Sequence, residues 1–207
     1  MRGLLKKDLK SIGQQSWVIL LLVIFYAMMF LFGGKQNAGL FVGMIAMLGV
    51  LLPFTALSYD EKARWDRYAL TMPISRAMLV WSKYLLSLLI SVCSGLLALA
   101  ICLASQAYPL KEALLLSWIM LGIALLFSAV IYPLYFKLGA EKARYALMVI
   151  FFLPTILIML LSQAGFNLPD FDEMEMQRFL PFLPLVTMAL FGASGLLSRR
   201  IYAKKEF

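Results

Sequence analysis

The sequence predicts an all-α polytopic membrane protein with six transmembrane helices, and three observations carry that prediction. Of its 207 residues, 63% are hydrophobic, against about 45–50% apolar in a soluble domain. The apolar residues gather in six runs, each long enough to approach a bilayer crossing. Basic residues crowd into alternate connecting segments and are sparse in the others. Six spans of about 20 residues use about 120 positions, which leaves no room for a soluble catalytic domain. A single transmembrane domain over 1–207 is expected.

Residues 1–14 open the chain with Arg2, Lys6, Lys7 and Lys10 set against Leu4, Leu5, Leu9 and Ile12. At 3.6 residues per turn the leucines share a side, so this segment reads as an amphipathic helix lying in the interface, lysines toward anionic headgroups. It lacks a small-residue cleavage site of the signal-peptide kind. The first span is placed at Trp17 to Phe32, followed by a Gly33-Gly34-Lys35-Gln36-Asn37 turn. The second runs from Ala38 to Leu57 and carries Gly39 and Gly43, a GxxxG spacing that permits close helix approach. The third is Met78 to Ser105, with Lys83 near its end and free to snorkel. The fourth is Ala113 to Phe136, the fifth Tyr145 to Leu161 with a kink at Pro154, and the sixth Phe179 to Leu197.

The loop 165–178 is acidic, with Asp170, Asp172, Glu173 and Glu175 against Arg178. Asp170 and Glu173 have capping-box spacing. The ligand spacing of a calcium loop is absent, so the carboxylates read as a solvated face. With six spans, one side of the membrane receives 15 Lys and Arg residues, in the N-terminal segment, 59–76, 137–144 and the tail. The other side receives Lys35, Lys111 and Arg178. The positive-inside bias puts both termini in the cytoplasm and the acidic loop outside. It also accounts for the net charge of +8 without nucleic acid.

Several chemistries are excluded. There is no histidine, hence no histidine metal site, proton shuttle or Ser-His triad. Cys93 and Cys102 lie nine residues apart, on opposite faces of one helix, and form no metal or redox motif. No GxxxxGK[ST] loop is present, so the chain has no phosphate cradle for hydrolysing ATP. No catalytic residue, metal or cofactor is assigned to it.

The stretch Tyr59 to Arg76 holds seven charges in 18 residues: Asp60, Glu61, Lys62, Arg64, Asp66, Arg67 and Arg76. Such a segment cannot enter hydrocarbon, where each ion costs about 2.5–3.5 kcal/mol. Read as a helix over 60–72, it sets Trp65, Tyr68, Ala69 and Met72 in one stripe. Pro73 stops it, and Ser75 caps the next span near Arg76. A bare lipid anchor would favour cations alone, whereas the mix of both signs matches a protein partner.

Glu61, Lys62, Trp65, Asp66, Tyr68, Leu70, Pro73, Ile74, Ser75 and Arg76, followed by Ser82, Lys83, Tyr84 and Leu85, resemble the type-2 ATP-binding-cassette (ABC) exporter permease subunit, and most of all the small six-span permeases of bacterial peptide and drug exporters. The motif resemblance covers 59–85; beyond it the likeness is one of topology. It implies that 59–76 is a cytoplasmic coupling helix docked on a separate ATPase. Asp60, Glu61, Lys62, Trp65, Arg67 and Tyr68 would touch that subunit, and Pro73, Ser75 and Arg76 would fix the elbow. Glu141 and Lys142 would add a second contact. It further implies two ATPase copies that bind ATP and Mg, a second permease (identical or a sister), and a location in the bacterial cell membrane. ATP-driven closure of the ATPases would push the coupling helices and alternate access at the permease interface.

Few ionisable groups fall within spans, which argues against ion-coupled transport. Ser87, Ser91 and Ser94 on the third span, and Ser128, Tyr132 and Tyr135 on the fourth, form polar stripes that serve either helix packing or a cargo path. Thirteen methionines supply an adaptable interior suited to amphipathic peptides or lipophilic drugs. A non-transporting membrane scaffold or immunity protein is the competing reading. An intramembrane enzyme is a third, and it lacks a reactive constellation.

Overall fold

A computed structural model describes residues 2–14, 38–105, 108–163 and 179–205, with positions 21, 24, 25 and 28. The described residues are helical with connecting turns and no strand. The helices are α1 (Arg2–Gln14), α2 (Ala38–Lys62), α3 (Trp65–Ala69), α4 (Arg76–Ser105), α5 (Leu110–Leu138) and α6 (Ala140–Gln163). A 3-10 turn, Leu180–Phe182, then leads into α7 (Leu183–Ala203). Among the described residues, four helical stretches are long and apolar enough to cross a bilayer: Val42–Lys62, Arg76–Ala104, Leu110–Leu138 and Leu180–Ala203. The expected fifth span lies within α6. The expected first span (17–32, apart from the four isolated positions), the Gly33-Gly34 turn and the acidic loop 165–178 lie outside the described residues.

The second span runs further than its apolar stretch. Helix α2 continues past Leu57 to Lys62, because the acids at its end find partners and need not leave the helix to reach water. The single helix expected over 60–72 is instead two pieces. Arg64 takes a left-handed conformation, φ 49° and ψ 36°, which costs a non-glycine residue about 1–2 kcal/mol and ends α2. The chain restarts as the five-residue α3.

Helix α5 is the hub, packed against α2, α4, α6 and α7. Its core is aromatic. Tyr84 of α4 lies with its ring centroid 4.6 Å from Tyr132 of α5 and 4.9 Å from Phe191 of α7. Phe136 meets Tyr202 at 5.3 Å in an edge-on contact. A smaller cluster of Val42, Ile45, Ala98, Cys102 and Ala113 closes the far end.

Proline inside α5 is made tolerable by a neighbour. Pro133 frees the carbonyl four residues earlier, at Ala129, and the Ser194 hydroxyl of α7 donates to it at 2.6 Å. With that proton committed, the Tyr84 hydroxyl donates to Ser194 at 2.8 Å and accepts from Ser198 at 2.7 Å.

Close approach between α5 and α7 depends on Gly122, where a Cβ would fall 2.9 Å from the Pro184 Cα. Gly43 of the GxxxG pair has nothing among the described residues within 4 Å of a Cβ. Gly122→Ala is expected to destabilise the protein by about 1–3 kcal/mol through overpacking, and Gly43→Ala to leave stability unchanged or slightly raised. Thermal unfolding of the two variants in detergent checks the contrast.

Candidate functional site

The charged stretch between α2 and α4 is pinned by side chains that reach to four distant parts of the chain. Asp60, on the last turn of α2, turns inward and is only 6% exposed. It accepts a hydrogen bond from Lys7 of α1 at 2.6 Å and another from Lys83 of α4. Its partner contacts are thus internal, unlike the surface role given to it by resemblance. Lys83 does not snorkel. It is buried and donates to both carboxylate oxygens of Asp8 at 2.8 Å, as well as to Asp60.

Glu61 leaves α2 in another direction. Its Oε2 accepts the Ala140 backbone N–H, placing a carboxylate at the N-terminus of α6, where the helix dipole favours an anion. The turn that makes this possible has Gly139 at φ 87°. A Cβ there would lie 2.6 Å from the Glu61 Oε1, so both backbone and space call for glycine. The two polar loops expected as separate contacts are therefore clasped together. Between them opens a cleft of about 540 Å³ lined by Ser58, Glu61, Lys62, Ala140, Glu141, Arg144 and Tyr145.

At the far end of the stretch, Ser75 accepts the Met78 backbone N–H at 3.2 Å and caps α4, as a serine just ahead of the helix should. Arg76 reaches the end of α7, donating to the Ala203 carbonyl at 2.8 Å and the Lys205 carbonyl at 3.1 Å. A guanidinium there satisfies open carbonyls and complements the negative helix terminus.

The expected aromatic stripe divides. Ala69 is buried, and Trp65 and Met72 are half-buried. The Lys7 ammonium sits over the Trp65 ring, 4.2 Å from its centroid. Tyr68 points outward and is 59% exposed. Lys62, Arg64, Arg67, Pro73, Glu141 and Lys142 are exposed as well.

The polar stripes of α4 and α5 face each other. Ser87 donates to Ser128 at 2.8 Å, and Ser128 to the Ala124 carbonyl at 2.9 Å. Tyr132 donates to the Lys83 carbonyl at 3.1 Å and Tyr135 to the Leu57 carbonyl at 3.2 Å. Ser91 is buried, and Ser94 bonds back to the Ser91 carbonyl at 2.9 Å.

Sequence reasoning missed Asp8. The signal was present: Asp8 shares the side of α1 that holds Leu4, Leu5 and Ile12. An acid on the apolar side of a basic interfacial helix needs a cation from elsewhere, and Lys83 was the one basic residue left inside a span.

A family model described as "ABC-2 family transporter protein" matches residues 3–203, and the chain belongs to that family. It is thereby a permease-type membrane component of a transporter, of a family that is generally non-catalytic and that implies an ABC ATPase partner. A comparison with curated proteins returns no match.

Asp66 supplies a pH test of this face. Burial raises its pKa above the usual carboxylate value, opposed by a hydrogen bond from Tyr202 and by the charge of Lys205. A carboxyl whose folded pKa lies above its unfolded one stabilises the fold at low pH and loses that contribution as pH rises through the folded value. Asp66→Asn is therefore expected to raise the melting temperature relative to the native protein at pH 8, with a smaller gain at a pH below the folded pKa of Asp66. Parallel melts in detergent at the two pH values measure it.

Proposed function

We propose that the protein is the membrane-spanning permease subunit of an ATP-driven ABC exporter, coupled to a separate ATPase through residues 61–76 and the neighbouring Glu141 and Lys142. The observation that carries this reading is the exposed Tyr68, in a stretch whose exposed charges are of both signs: Glu61 against Lys62, Arg64 and Arg67. A protruding aromatic with charges of both signs in the same stretch is the make-up of a protein-docking surface rather than a lipid anchor. The ATPase binds ATP and Mg; this chain supplies the surface that receives its motion. Asp60 and Trp65 serve that surface from beneath. The clasp of Glu61 on Ala140 gives the two polar loops a common movement.

Two permeases and two ATPases form the working unit, in a bacterial cell membrane with both permease termini and the docking face in the cytoplasm. The basic-residue asymmetry supports this orientation. The cargo is amphipathic or hydrophobic: a peptide toxin, an antimicrobial peptide or a drug. The hydrogen bonds of Ser87, Ser128, Tyr132 and Tyr135 within one subunit support packing as their role, which leaves the path to the surface between two permeases.

Arg67→Glu together with Tyr68→Ala is expected to weaken ATPase binding by about 10- to 100-fold, the loss of a central aromatic anchor. Membrane insertion and melting temperature should be retained, because both side chains are exposed. Pull-down of the ATPase from native membranes with tagged permease measures this. Undiminished binding by the double variant sinks the docking assignment. Binding without any peptide transport in everted vesicles favours a scaffold.

A further inference from the structure

Lys7, Asp8, Lys83 and Asp60 close a ring of alternating charge. The Lys7 ammonium lies 2.9 Å from Asp8 and 2.6 Å from Asp60, and the Lys83 ammonium lies 2.8 Å from Asp8 and in contact with Asp60. Each ion touches two of opposite sign, and the ring is neutral. Asp8, Asp60 and Lys83 are 1%, 6% and 7% exposed. Lys7, with 27% of its side chain exposed, is the open corner and also covers Trp65. The ring joins three stretches of sequence: α1, the end of α2 and the second turn of α4.

Stability alone is a poor reason for such a ring, since well-packed apolar residues often serve a buried site as well or better. What ions supply is a fixed geometry with a strong penalty for any arrangement that parts them. Among the described residues the apolar side of α1 is shallowly set: of its leucines only Leu4 is buried, and Leu9 is 52% exposed. Asp60 immediately precedes Glu61, and Trp65 stands three residues ahead of Tyr68, its ring 5.6 Å from the tyrosine's.

We propose that the ring is the joint through which α1 sets the ATPase-docking segment, with Asp8 and Lys83 as its positioning residues. Lys83 holds Asp60 directly, and Asp8 holds Lys7, which in turn bonds Asp60 and covers Trp65. The exposed Arg67 and Tyr68 are thereby presented at a fixed angle, and α1 moves with the segment when the ATPase pushes it. This inference rests on the docking assignment above.

The test uses the full-length permease in nanodiscs, alone and with its ATPase. Lys83→Met and Asp8→Asn each leave a net charge in the ring. The double variant restores neutrality, with Lys7 and Asp60 still paired, but no longer ties α1 to α4. It is expected to melt near the native temperature while permease-dependent stimulation of ATP turnover falls about tenfold. Lys83→Arg, which keeps the ring, is expected to stay within about threefold of native. A purely structural role predicts that coupling recovers together with the melt, and that result overturns the proposal.

If the double variant fails to fold, Lys7→Met at the open corner takes its place, with coupling expected to fall several-fold; native coupling in that variant overturns the proposal equally. A readout independent of the ATPase separates this inference from the docking assignment. Spin labels at positions 10 and 67, in a background with Cys93 and Cys102 replaced by serine, are expected to give one narrow distance in the native ring and a broad distribution without it. A narrow distance in the ring-broken variant refutes the joint even if docking stands. Absence of ATPase binding by the native permease, with the labels behaving as expected, refutes docking and leaves the joint.

Discussion

A charge at the rim of a bilayer must be solvated by something, and around this protein's polar stretch much of that solvation comes from other parts of the same chain. Asp60 is solvated by α1 and α4, Glu61 by the first peptide of α6, and Arg76 by the last carbonyls of α7. Of these only Asp60 is buried, where isolation would cost several kcal/mol; Glu61 and Arg76 are exposed, and their pairings orient them. Each pairing draws a remote helix to the same small region. The segment that on sequence grounds belongs to water is therefore the place where the helix ends converge.

The bundle beneath follows the same logic with neutral groups. Serine and tyrosine hydroxyls meet across α4, α5 and α7, and Tyr84, Ser87, Tyr132 and Ser194 each bond a carbonyl or another hydroxyl of a neighbouring helix. Ser194 shows the economy of the scheme, since one hydroxyl repairs the carbonyl freed by Pro133 and anchors Tyr84 as well. Small residues let this happen at short range: Gly122 against Pro184, and Gly195 against the Trp81 ring, where a Cβ would come within 3.2 Å. Lipid offers no hydrophobic drive between helices, so close packing and hydrogen bonds of this kind must hold them.

Much of this was legible in the sequence, and the rest was hidden for identifiable reasons. Apolar length alone located the helices α2, α4, α5, α6 and α7, because hydrocarbon leaves the backbone few options. Ser75 announced its capping role by standing ahead of Arg76. The end of α2 was misjudged because a charge was read as an exit from the helix, whereas Asp60 and Glu61 stay helical by acquiring partners distant in sequence: Lys7 at 53 residues and Lys83 at 23 for Asp60, and Ala140 at 79 for Glu61. The left-handed turn at Arg64 carries no sequence mark, as glycine or asparagine would have provided. Among the described residues, tight contacts fall at Gly122 and Gly195, isolated glycines whose facing residues only the tertiary arrangement reveals.

Asp60 and Glu61 are neighbours in sequence, and side chains of adjacent helical residues diverge by about 100°. One is held inside the bundle by lysines of α1 and α4, and the other outside it by the turn at Gly139. Two tethers leaving a helix in different directions oppose rotation about its axis far more than they oppose tilting. A force delivered to this end of α2 is thus converted into inclination of the whole rod, with torsion suppressed. The α6 terminus and α1 are dragged along the same arc.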